Sequence, residues 1–127
     1  MSAGNQVKGL RQVAQRVVDL DRAVGFYEQV LGLRLIDRFD PPDLAFFDLG
    51  GVRLLLEANA PAAMIYLEVD DVRAEYDRLA ALGVEMIHEP AAIFEDAEGR
   101  FGPAGEKEVM AFFTDTEGNQ LALAGRE

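Results

Sequence analysis

Apolar residues at Ala23, Phe26, Tyr27, Val30 and Leu31 fall at i, i+3, i+4, i+7 and i+8, the spacing of one face of a helix. Asp19, just ahead, can accept hydrogen bonds from the open amides of a first turn, and Asp19 and Asp21 put negative charge at the positive end of the helix dipole. Gly32, just beyond, can take the left-handed conformation that ends a helix. The pattern predicts a helix from Leu20 to Leu31. On either side the chain reads as strands: Leu10 to Val17 before the helix, then Leu33 to Phe39, Leu44 to Leu49 and Val52 to Glu57. Asp40-Pro41-Pro42-Asp43 is a turn, because two prolines cannot continue a ladder, and Gly50-Gly51 makes a tight hairpin. Ala58 to Ala63, with Pro61, reads as a linker.

The order then repeats: strand Met64 to Val69, helix from about Val72 to Leu82, and strands Val84 to His88 or beyond, Val109 to Phe113 and Asn119 to Ala124. Asp19-Leu20 matches Asp71-Val72 at an offset of 52, and Ala23 through Leu33 matches Ala74 through Val84 at an offset of 51. One residue therefore drops out early in the second helix. Asp48 through Leu56 overlays Asp115 through Leu123, with Gly51 on Gly118. A duplicated β-α-β-β-β unit follows, about 8–58 and about 64–125, within one domain covering 1–127. The halves differ at Glu95 to Lys107, a stretch of 13 residues with Gly and Pro that reads as a loop, either a lid or binding loop or an insertion without a role.

One helix per unit covers only one face of a four-stranded sheet. The expected fold is α+β, with two mostly antiparallel sheets curling around a shared cavity that is the default binding site. The remaining uncovered surface predicts a homodimer with two-fold symmetry.

Composition narrows the chemistry. The chain has 127 residues, enough for one compact domain burying roughly two-thirds of its unfolded surface, and 50% of them are apolar. It has no cysteine, which removes disulfides, thiolate metal sites and cysteine nucleophiles. A formal net charge of −11 argues against nucleic acid, whose binding needs clustered Lys and Arg, and favours a neutral or cationic partner. The same surplus of carboxylates also serves solubility alone. No apolar run approaches the roughly 20 residues that span a bilayer. Met1 to Asn5 carry no signal-peptide apolar region, so no membrane association and a cytoplasmic location are expected.

A strand running into V-x-D-L-x-R-A-x-x-F-Y-x-x-V-L-G-L, then D-x-x-G-x-x-L at the end of the unit, all duplicated, resembles the vicinal oxygen chelate superfamily. That superfamily includes lactoylglutathione lyase (glyoxalase I), methylmalonyl-CoA epimerase, extradiol dioxygenases, fosfomycin-resistance enzymes and bleomycin-resistance binding proteins. The resemblance runs from about Leu10 to Leu123 and implies fold more strongly than function. It implies, for the enzymes, one divalent metal held from the first, fourth, fifth and eighth strands. The matching positions here are Gln12, seven residues before Asp19, then Leu55, Met64 and Ala122. Ala122 stands where the pattern D-P-D-G-x-x-I-E-L has its metal-binding Glu, and a thioether at Met64 is a poor ligand for the metals concerned. No metal and no other cofactor are therefore expected.

Strand alternation projects an inward set of Gln12 and Ala14; Arg53, Leu55 and Glu57; Met64, Tyr66 and Glu68; Gln120, Ala122 and Ala124. Small residues leave volume, Leu55, Met64 and Tyr66 offer apolar and aromatic contact, and Gln12, Arg53, Glu57, Glu68 and Gln120 can orient polar groups. The carboxylates favour a bound group with positive charge or several donors, unless Arg53 pairs internally with Glu57. Two functions are weighed. One is a metal-independent small-molecule binding protein like the bleomycin-resistance group. The other is a divalent-metal-dependent isomerase, epimerase or lyase of the glyoxalase I or methylmalonyl-CoA epimerase type. Glu57 and His88, the only histidine, are the candidates for a general base, and Gln12, Glu57 and His88 for an unorthodox metal site.

Overall fold

The computed structural model describes residues 10–127, and the reading of Met1 to Asn5 lies outside them. The chain divides into two compact units, Met1–Ala63 and Met64–Glu127. The first contains β1 (Gln12–Arg16), α1 (Leu20–Gly25), β2 (Arg34–Phe39), β3 (Leu44–Leu49) and β4 (Val52–Glu57). The second contains β5 (Ile65–Glu68), α2 (Val72–Ala81), β6 (Glu85–Asp96), β7 (Glu106–Thr114) and β8 (Gln120–Arg126). Each unit forms one four-stranded mixed sheet, ordered β1-β4-β3-β2 in the first and β5-β8-β7-β6 in the second. In each, the first and last strands pair in parallel and the other neighbours run antiparallel. The fold is α+β, built of two tandem β-α-β-β-β units.

Alternation along the strands sorts each sheet into two faces. In unit 1 Ala45, Phe47, Leu54 and Leu56 are buried and meet the helix residues Leu20, Ala23 and Val24 together with Phe26 and Tyr27. The Tyr27 ring lies 6.1 Å from that of Phe47. Gln15 is buried among them, and its side-chain oxygen accepts the backbone N–H of Ala63, which ties the linker back to β1. In unit 2 Ile65, Val109, Ala111, Phe113, Leu121 and Leu123 are buried on one side with Val72 and Leu79 of α2. Gly125 lets β8 pass close under the end of β5, where a Cβ would come within 2.7 Å of the Val69 carbonyl oxygen.

Both helices begin at the expected aspartates, Asp19 accepting from the Arg22 amide and Asp71 from the Ala74 amide. The first is not α-helical throughout. After Gly25 the turn widens over Phe26–Val30, and the Leu31 N–H donates to the Phe26 carbonyl five residues back at 3.0 Å. This wider turn takes up the one residue by which the first helix exceeds the second. Gly32 and Gly83, with φ of 76° and 83°, end the two helices in the left-handed region.

The predicted loop from Glu95 to Lys107 is corrected. β6 and β7 are longer than read, with Glu95 opposite Lys107 and Asp96 opposite Glu106, so the connection spans only 97–105. The Asp96 carboxylate holds it. Its oxygens accept the amides of Arg100 and Phe101, each at 2.8 Å, and it pairs with Arg126 on β8 at 3.0 Å. Arg126 also pairs with Glu106 and Glu108 and donates to the Pro103 carbonyl. Burial pushes the Asp96 carboxyl up, but the two amides and the guanidinium outweigh it and hold it at about 2, below the ordinary 3.8. The sign follows: the stabilisation is complete above the unfolded value and is lost as pH falls toward 2. Wild type should therefore lose stability relative to Asp96→Asn between pH 3.8 and about 2, read by acid unfolding, and parallel acid curves would contradict this.

Among the described residues, no helix is long and apolar enough to cross a membrane.

Candidate binding site

The sheet faces turned away from the helices carry the residues that sequence projects inward. On unit 1, β1 and β4 run parallel, which sets Gln12 beside Arg53, Ala14 beside Leu55 and Arg16 beside Glu57. Continuing across β3, Phe46 follows Leu55, and Asp48 follows Arg53. Register partners share a face, so Ala14, Leu55 and Phe46 form an apolar row between two polar ones. All three are half-buried. Phe39 on β2 packs edge-on against Phe46 at 6.0 Å.

The structure brings Gln12 and Arg53 together. Arg53 Nε donates to Gln12 Oε1 at 2.9 Å, so the amide at the first metal position is engaged by a guanidinium. The internal pairing of Arg53 with Glu57 that would have neutralised this face does not form. Both lie on β4 four residues apart, about 13 Å along an extended strand, whereas Gln12 stands directly alongside.

On unit 2 the corresponding row is Tyr66, Ala122, Phe112 and His88, one residue from each strand of the sheet. Tyr66 is 56% exposed, and the exposed His88 meets the Phe112 ring edge-on at 5.8 Å. The next row holds Glu68, Ala124, Met110 and Ala91. Gln120, at the start of β8, and Glu68, at the end of β5, are exposed. Two expectations change here. Met64 lies just ahead of β5 rather than in it, and is 41% exposed. Ala122 is fully buried, so it leaves no open volume. Its methyl stands between Tyr66 and Phe112, two large rings flanking the smallest side chain of the row.

Phe46, Met110 and Phe112 belong to these faces and were missing from the projected set. Alternation carries their signal: each lies next to buried residues, Ala45 and Phe47 or Ala111 and Phe113, which fill the opposite face. Among the described residues, no group of three or more His, Asp or Glu gathers as a metal site. The turn before β8 is a closed polar unit, with Asp115 accepting the amides of Glu117 and Asn119 and the Asn119 side-chain amide.

Similar solved structures share this architecture. TnmS3, an antibiotic binding protein from Streptomyces sp. CB03234, is 22% identical with a TM-score of 0.75, over 96% of this chain and 98% of that one. A lactoylglutathione lyase from Agrobacterium tumefaciens is 22% identical with a TM-score of 0.68, over 95% and 96%. A superfamily member from Sphaerobacter thermophilus DSM 20745 is 21% identical with a TM-score of 0.71, over 94% and 98%. At these identities the likeness is one of fold. No match is found among curated protein sequences. The family model described as Glyoxalase/Bleomycin resistance protein/Dioxygenase superfamily matches residues 9–123, almost the whole chain. With both β-α-β-β-β units accounted for by that match, the chain belongs to the Glyoxalase/Bleomycin resistance protein/Dioxygenase superfamily.

Proposed function

We propose that the protein is a metal-independent small-molecule binding protein that holds a neutral or cationic organic ligand against the helix-free faces of its sheets. The observation that carries the reading is the state of the four positions from which the family's enzymes hold a metal. Gln12 is turned to Arg53, Leu55 and Ala122 have hydrocarbon side chains, and Met64 offers only a thioether. This set does not fit a hard or borderline divalent cation. What stands beside those positions suits organic matter: Phe46 and Leu55 on one unit, Tyr66 and Phe112 on the other. A like fold serves an antibiotic binding protein, a role of the proposed kind. A cytoplasmic setting and a two-fold homodimer are part of the proposal.

A thermal-shift screen of mixed small molecules, run with EDTA on protein purified without chelator, tests it. The expected result is a set of stabilising neutral or cationic molecules that act equally with and without EDTA, on protein that elemental analysis finds without stoichiometric metal. Close to one divalent ion per chain, with stability lost to EDTA, would overturn it in favour of a lyase or isomerase. Sedimentation of the 13.9 kDa chain as a monomer would remove the dimer alone.

A further inference from the structure

The helix-free face of β4 presents a guanidinium, an apolar side chain and a carboxylate in line: Arg53, Leu55 and Glu57, at alternate positions. Neither charge is answered by an opposite one within the sheet. Six other arginines, Arg34, Arg38, Arg73, Arg78, Arg100 and Arg126, each pair with a carboxylate. Among the described residues Arg53 pairs with none, although the chain holds 23 Asp and Glu against 12 Lys and Arg. Its register partner on β3, Asp48, is drawn instead to Arg34 at 3.5 Å and to the Gly51 amide at 3.1 Å. What Arg53 has is the neutral amide of Gln12, which accepts from Nε alone. A guanidinium carries five N–H donors, so the two terminal nitrogens keep theirs, held in orientation by the Gln12 contact. End-on, they match a pair of acceptor oxygens. Glu57 is half-buried and its carboxylate has no partner among the described residues; Arg16, beside it on β1, has contacts of its own.

We infer that this face of unit 1 binds a bipolar organic molecule, with acceptor oxygens at one end against Arg53 and a cationic or donor nitrogen at the other against Glu57. Its apolar body lies over Leu55 and the neighbouring Ala14 and Phe46. The inference rests on the small-molecule reading and gives that ligand a class: zwitterionic or neutral overall, in keeping with a chain of net charge −11. A simple anion would be repelled by Glu57, and a simple cation would leave Arg53 unanswered. Gln12, at a position the family's enzymes give to a metal, becomes a positioning residue for the guanidinium.

The test uses 8-aminooctanoate, which carries both ends, with octanoate and octylamine as its single-charge counterparts. Each is titrated into labelled protein while the Arg53 Nε–H and Leu55 methyl signals are followed by NMR. The zwitterion should move both signals and bind at least about tenfold more tightly than either counterpart. Arg53→Gln should lower its affinity to that of octylamine, and Glu57→Gln to that of octanoate, with the amide spectra of both variants otherwise preserved. Equal affinity for the three probes, shifts elsewhere only, or no binding by about 10 mM overturns the inference. If screen hits map to this face while 8-aminooctanoate fails, the bipolar class falls and small-molecule binding stands; an empty screen removes both.

Discussion

Replacing Ala122 with glutamate is expected to destabilise the protein by about 3 kcal/mol or more without creating a metal site. The substitution restores the carboxylate that the family's metal-binding members carry at this point of the last strand. The position cannot receive it. Ala122 is fully buried, and its register partners on either side are Tyr66 and Phe112, neither of which can balance a negative charge. An added carboxylate must be desolvated without a partner or expelled with local loss of packing. Urea unfolding with and without manganese or zinc reads both halves of the expectation. Unchanged stability would mean that the position accepts a carboxylate, and full recovery of stability on adding the ion would mean that a metal site is latent in this sheet.

Phe47→Ala should cost about 3–5 kcal/mol, the usual range for removing a large aromatic ring from a core. Phe47 is fully buried on β3, on the face opposite Phe46, and its ring meets that of Tyr27, also fully buried, in the wide turn that follows α1. The substitution removes the wedge between helix and sheet, and nothing else in the row can fill it without leaving its rotamer. Denaturant midpoints at unchanged m-value give the number. A loss below about 1 kcal/mol would mean that the helix is held by other contacts. The functional consequence is specific: Phe47 lies behind the sheet whose front carries Leu55, so a moderately destabilised variant should still bind its ligand at low temperature.

These two residues also show what sequence can convey. β3 and β4 are readable to their ends because the turn residues on either side mark them: Asp40-Pro41-Pro42-Asp43 ahead of β3 and Gly50-Gly51 between the two strands. The helix starts were readable because each is local, an aspartate bonding an amide three residues on. The extension of β6 was not. Pro90 and the glycines beyond it signal a break, and what keeps the strand paired to Asp96 is an ion pair with Arg126, 30 residues away. The candidate site divides the same way. Which residues lie on the open face of β4 followed from alternation. The contact of Arg53 with Gln12 joins residues 41 apart and depends on the parallel register of β1 and β4, which no local pattern encodes. That Ala122 is closed off is not legible locally, because its flanking rings, Tyr66 and Phe112, come from two other strands.

A stabilising molecule from the mixed screen, titrated into labelled protein in EDTA, tests metal-free binding at the open faces most directly. The signals of Leu55 and Phe46 on the open face of the first sheet, or of Tyr66 and Phe112 on that of the second, should move along a saturating curve, while those of Phe47, Leu79 and Phe113, packed on the helix side, stay in place. A footprint on the helix side, or binding that EDTA abolishes and a divalent ion restores, would contradict it.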